Sequence, residues 1–179
     1  MEIRFLTPED ASKYWDIRLE ALRGEPEAFG SSPEEHLALT LEEVTTRICS
    51  PPDNFTVGAF EGDRLMGTAG FFRNKGIKER HKGFVWGVYV TLDQRGKGVG
   101  RSMLRMLLAR GASTEGIEQI QISVATTQEA AVKLYRSLGF ASYGVERRAL
   151  KVGERYIDEE HMALDVAQCS VQQLGGGSV

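Results

Sequence analysis

Cysteine is scarce in this chain. Cys49 and Cys169 are its two cysteines; they lie far apart and match no metal-ligand spacing. That argues against a disulfide scaffold and predicts a reduced, cytoplasmic setting without a metal site. Long apolar runs are missing too, none approaching the ~20 residues needed to cross a bilayer. The opening MEIRFLTPED is acidic and lacks the apolar centre of a signal peptide, so no membrane partner is expected. Nor is there a basic excess: 22 Lys and Arg against 25 Asp and Glu leave a net charge of −3. Without a broad positive field, nucleic acid is not an expected partner. Internal repeats are absent as well. What remains is an ordinary globular composition, 41% apolar and 26% charged over 179 residues. That length fits one domain at the usual ~100–200 residues.

Punctuation along the chain predicts a mixed α/β order, β α α β β β α β α β β. A short strand, Glu2 to Leu6, leads into Thr7-Pro8, a cap with proline at the first helical position, and a helix to about Arg23. After the loop GEPEAFGS, Ser32-Pro33-Glu34-Glu35 reads as a capping box opening a helix to about Cys49, which Pro51 and Pro52 stop. Strands are expected over Phe55–Phe60 and Leu65–Phe72, joined by the turn Glu61-Gly62-Asp63-Arg64. A basic loop, Arg73 to Lys82, precedes the apolar run Phe84 to Val90, which reads as a strand buried on both faces. A glycine turn follows, with a helix from about Val99 to Ala112. The strand Ile117–Val124 then leads to a capping box, Thr126-x-x-Glu129, whose helix ends at Leu138 before Gly139. Two last strands, Tyr143–Lys151 and Arg155–Leu164, complete a domain over residues 1–166. The tail, 167–179, is small, polar and glycine-rich and is expected to be disordered.

The turn QRGKGVGRS, Gln94 to Ser102, is the chemically informative stretch. Strand, glycine turn and helix leave backbone amides converging on one point, with the helix dipole adding positive charge there. Lys97 and Arg101 add more, so a diphosphate is the natural guest. Lys97 is followed by Gly98 where a P-loop needs Ser or Thr, and Arg101 stands where the dinucleotide fingerprint needs glycine.

Three segments then resemble the GNAT N-acetyltransferase superfamily. The family's signature, Arg or Gln, two residues, Gly, one residue, then Gly or Ala, is met by Arg95, Gly96, Lys97, Gly98, Val99 and Gly100; WGVYV (Trp86 to Val90) precedes it, and LYRSLGF (Leu134 to Phe140) follows. The resemblance runs from Glu2 to about Val166. It implies a single-domain, mostly antiparallel sheet of about seven strands flanked by four helices. It also implies that acetyl-CoA is the cosubstrate, its pyrophosphate on the glycine turn and its pantetheine paired to backbone of Val88 and Val90 like an added strand, with a bulge that splays this strand from the next and opens a slot for the thioester. Gln128 stands where the family often has asparagine toward the pantetheine; Lys133 and Arg136 are candidates for the 3′-phosphate.

The implied reaction is acetyl transfer to a primary amine through a tetrahedral intermediate. Tyr135 is the candidate acid, returning a proton to a thiolate whose ordinary pKa is ~8.5. A base is not assigned, because Phe84 stands where several members carry glutamate; Glu79, His81 and Glu146 are weaker candidates. For the acceptor, a small-molecule or peptide amine, Glu25, Glu27 and Phe29 would suit a cationic amine. An acyl-CoA-sensing module, a transferase for another acyl group and a homodimer all stay open.

Overall fold

The computed structural model describes residues 1–168. Its elements in chain order are β1 (Glu2–Phe5), α1 (Ala11–Gly24), α2 (Pro33–Leu37), α3 (Leu41–Ile48), β2 (Cys49–Ser50), β3 (Asn54–Glu61), β4 (Arg64–Arg73) and β5 (Lys82–Val90). They continue with α4 (Val99–Ser113), β6 (Gln119–Ala125), α5 (Glu129–Ser137), β7 (Ala141–Val152) and β8 (Arg155–Asp165). One sheet runs β1-β3-β4-β5-β6-β8-β7, with β2 beside β3. Every pairing is antiparallel except β5 with β6. The mostly antiparallel α/β sheet expected from the sequence is therefore present.

Two hydrophobic layers cover its faces. On one, Val57, Phe71, Val85, Ile120, Ile122 and Met162 pack under α4 and α5. On the other, Phe60, Leu65 and Tyr89 pack under α1 and α3. Strand side chains alternate between faces, so each strand feeds both layers. At the start of α1, Asp10 accepts Arg4 Nη1 and Nη2 and the Thr7 amide, and tethers the helix entry to β1.

Several local expectations need correction. The helix expected over Ser32–Cys49 is two, because Thr40 accepts from the Glu43 amide while the Glu43 carboxylate accepts from the Thr40 amide. That second capping box starts α3 and raises the helix number to five. Thr126 does not cap α5: Gln128 stands at the cap without a side-chain bond, so the predicted box there is not formed. The last two strands are longer than expected. The expected tail lies, beyond Gln168, outside the described residues. Gly62 at φ 58° turns the β3–β4 hairpin as expected.

Candidate active site

β5 carries the central irregularity. Thr68 pairs with Tyr89 and Gly70 with Trp86, so two steps on β4 face three on β5. The extra residue makes a bulge at Gly87-Val88, where Gly87 adopts φ 60°, a conformation costly for side chains with a Cβ. The bulge shifts the alternation: Val85 and Val88 face α4, whereas Trp86 and Tyr89 face α1. The Gly87 carbonyl accepts from Thr68 Oγ1. On its other edge β5 pairs with β6 over Lys82–Phe84 and Gln119–Gln121 alone. Beyond that register the strands part, leaving Val88 and Val90 without a β6 partner. An extended ligand with its own amides fits such an opened edge.

The glycine turn sits at the end of this opening. Gly96 and Gly98 have φ 75° and 80°, and no atom lies within 4 Å of where a Cβ would stand on either. Val99 starts α4, so the first amides of that helix face the turn unpaired within the helix. Gly100 lies between Val90 and Leu134, which ties β5, α4 and α5 at one point. The cations divide. Arg95 turns back, donating from Nε to the Val90 carbonyl (2.9 Å) and from Nη1 to Glu25 (2.8 Å). Lys97 bonds Gln94, and Arg101 bonds Ser137 on α5. Lys133 and Arg136, considered for a 3′-phosphate, pair with Glu129 and Glu160.

Tyr135 is buried on α5, edge-on to Phe140, in the layer that Val88 and Val90 border. Burial raises its pKa beyond the ordinary phenol value, so the hydroxyl keeps its proton. Gln128 reaches Glu25 Oε2 at 3.3 Å. Glu25 thus joins the loop after α1 to both sides of the opening.

On the opposite face of β5 lies a cavity of about 1160 Å³, lined by Phe29, Phe72, Phe84, Trp86 and Gly87 and by charged groups from α1, α3 and β8. Ser123 on β6 and Glu159 on β8 share this wall, and burial raises the Glu159 pKa above the usual carboxylate value. Beside them, Ser123 Oγ lies 2.8 Å from His161 Nδ1, and His161 Nε2 lies 3.1 Å from Glu146. Among the described residues no group of three or more His, Cys, Asp or Glu is placed to hold a metal ion. No helix among them is long and apolar enough to cross a membrane.

A family model described as Acetyltransferase (GNAT) domain matches residues 3–161. The chain belongs to the GNAT acetyltransferase superfamily. It is 38% identical over 108 residues to the N-alpha-acetyltransferase RimI of Mycobacterium tuberculosis, covering 59% of this chain and 64% of that protein. The chain covers less than two thirds of the length of the curated relatives first matched. Among solved structures, a GNAT-family acetyltransferase from Streptococcus pneumoniae superposes with TM-score 0.81 at 23% identity, covering 90% of this chain and 97% of that one. The Salmonella typhimurium protein yncA, solved with acetyl-CoA, gives TM-score 0.75 at 22% identity, with 96% of each chain covered.

Within this GNAT chain, the residues picked out for a cationic amine are already engaged. Glu25 pairs with Arg95, Glu27 pairs with Arg155, and the Phe29 ring lies 4.5 Å from the Arg18 guanidinium carbon. Reading the sequence missed Arg18, Arg47 and Glu159. A signal for Arg18 existed: it falls on the stripe of α1 that buries Ala11, Tyr14, Ile17 and Ala21, where a cation is out of place. Glu159 gave none, being one acid among several in YIDEEHM.

Proposed function

We propose that this chain is an acetyl-CoA-dependent N-acetyltransferase acting on a primary amine. The observation that carries this is the parted β5–β6 edge, which runs from the bulge to the open glycine turn with a protonated Tyr135 alongside. Pyrophosphate on the turn would be held by the free amides at the start of α4, where the helix dipole favours an anion. The pantetheine would take the strand position beside Val88 and Val90 that β6 vacates, displacing Arg95 from the Val90 carbonyl and Glu25 from Gln128.

The transfer then needs four events. The amine, once neutral, attacks the thioester carbon from the cavity side and forms the C–N bond. An amide at the bulge, that of Val88, donates to the developing oxyanion. The C–S bond breaks, and Tyr135 gives its proton to the departing sulfur. Glu159 is the best-placed acceptor for the proton the ammonium loses before attack, because it lines the cavity and its raised pKa brings it nearer to neutrality, and the second N–H proton, lost as the amide forms, restores the Tyr135 hydroxyl. The Ser123–His161–Glu146 chain offers that proton a route to solvent. The name of the RimI relative, an N-alpha-acetyltransferase, supports an amine rather than a hydroxyl acceptor.

Free thiol released from acetyl-CoA across a panel of amines tests the reading. Thiol release that follows the amine supports it. Tight binding of acetyl-CoA with no amine-dependent release would make the chain an acyl-CoA-binding module instead. A preference for a longer acyl-CoA would redefine the donor.

A further inference from the structure

The least explained residue in the molecule is Arg18. It is 7% exposed, yet its Nη1 has no hydrogen-bond partner. None of the ion pairs among the described residues includes Arg18 or Arg47. A buried cation without a counter-charge is expensive, and proteins normally pair it. Here two cations share one cavity wall: Arg18 against Phe29, and Arg47, from α3, over the Trp86 ring at 5.5 Å.

The surroundings do not supply the missing anion. Of the four acids lining the cavity, Asp53 pairs with Arg73, Glu79 faces Lys82, Glu43 caps α3, and Glu159 stands on β8 with His161 and Glu146 as its charged neighbours rather than Arg18. His36 behind them is neutral, since burial and both arginines lower its pKa, and its Nε2–H donates to the Trp15 carbonyl at 3.0 Å. Tyr14 adds a second buried, unpaired donor in its hydroxyl. A Cβ built on the bulge residue Gly87 would lie 3.8 Å from Arg18 Nη1 and 3.9 Å from the Tyr14 hydroxyl. An anion held there sits beside the bulge at which the thioester carbon is expected.

We propose that Arg18, supported by Arg47 and Tyr14, holds the carboxylate of the acceptor, and that the acceptor is a free α-amino acid with an apolar side chain. This rests on the transferase reading. An amino acid carries its amine and its carboxylate at the two ends of one backbone unit, about 3.5 Å of reach. That span lets the carboxylate meet Arg18 while the amine faces the bulge, with Glu159 on the β8 side of the same cavity. Phe29, Phe72, Phe84 and Trp86 form an apolar part of the remaining lining, beside the polar Asn54, Asn74, Lys75 and Arg80, and that part suits an apolar side chain. A protein N-terminus has an amide where the carboxylate would be and leaves Arg18 unpaired. A polyamine brings a cation to a wall that already carries two.

The test compares L-methionine and L-phenylalanine with their carboxamides, and with spermidine, by thiol release from acetyl-CoA. Calorimetry on the protein preloaded with CoA reads binding of the same compounds without turnover. The acids are expected to exceed their amides in kcat/KM by about 10- to 100-fold, the usual value of a charged hydrogen bond, expressed mainly in KM. Arg18→Met should bring the acids down to the level of the amides. Arg47→Met, on an exposed side chain and safe for folding, should lower the acid preference several-fold.

Amides used as well as acids by the wild-type protein overturn the proposal. So does an Arg18→Met variant that loses acids and amides equally, which would assign Arg18 to the thioester. Turnover of spermidine with no binding of acids removes the carboxylate site and leaves the transferase standing. Binding of acids that depends on Arg18, with no amine turned over, keeps the site and removes the transferase.

Discussion

The two faces of β5 are built by different means. Toward α4 and α5, the opening proposed for the donor is made of backbone: a bulge, an opened strand edge and two left-handed glycines, with Tyr135 as its proposed acid. Toward α1 and α3, the cavity is lined by side chains brought from separate segments: Arg18, Phe29, Arg47, Trp86, Ser123 and Glu159. Backbone geometry needs a fixed local spacing, so the first face leaves a motif in the sequence. Side chains can arrive from any segment that folds there, so the second face leaves none.

Four measurements sharpen or break that contrast. The largest effect is expected on the donor face, where Tyr135→Phe should lower kcat by about 10²- to 10⁴-fold, the range of general acid–base catalysis, with KM for acetyl-CoA little changed. Equal turnover would reduce Tyr135 to packing. On the acceptor face, Glu159→Gln should cost about 10²-fold in kcat/KM. Because the carboxylate acts as a base, wild-type activity should rise with pH through a pKa above the ordinary glutamate value, and the variant should lose that rise. An unchanged pH profile would move the base elsewhere.

Gly98→Val should act on donor binding alone. Forcing a side chain with a Cβ to φ 80° costs about 1–2 kcal/mol, a 5- to 30-fold rise in KM for acetyl-CoA with the amine KM unchanged. The smallest effect is expected at the outer end of α1. Arg4 holds the Asp10 carboxyl down to about 2, from 3.8, and so contributes roughly 1–2 kcal/mol, given that Arg4 is half-exposed. A depressed carboxyl stabilises above its unfolded pKa, and the gain is lost as pH falls through about 2. Urea midpoints of wild type and Asp10→Asn should therefore differ at pH 6 and converge near pH 2, with activity at neutral pH little altered. A gap that persists in acid would remove the electrostatic account.

What the sequence made legible follows the same division. The glycine turn, the apolar strand before it and LYRSLGF are local, and they pointed to the opened edge of β5 and to Tyr135 beside it. The bulge was expected from the family resemblance alone, since WGVYV by itself reads as uniform strand and the extra residue exists only relative to the register of β4. The split between α2 and α3 was written in Thr40 and Glu43 but overshadowed by continuous helical periodicity. Glu25 and Glu27 looked available because their partners, Arg95 and Arg155, are remote in sequence and meet them only through the fold. Arg18 shows the reverse error: a helical arginine is assigned to solvent by default, and its burial depends on what α3 and the loop at Phe29 place over it.

The bulge also governs which changes of length the chain tolerates. Removing Gly87 would restore a regular ladder with β4 and leave Val88, Tyr89 and Val90 in their present layers, because Val85 and Val88 would then stand two residues apart; what it would remove is the bulge beside the opened edge. A deletion there would flatten the opening, and one added residue would exchange the layers of Val88, Tyr89 and Val90, whereas the connection from Arg73 to Lys82 can lengthen or shorten without changing any side chain's layer. Insertions and deletions in homologous chains should therefore collect at that connection and avoid the middle of β5.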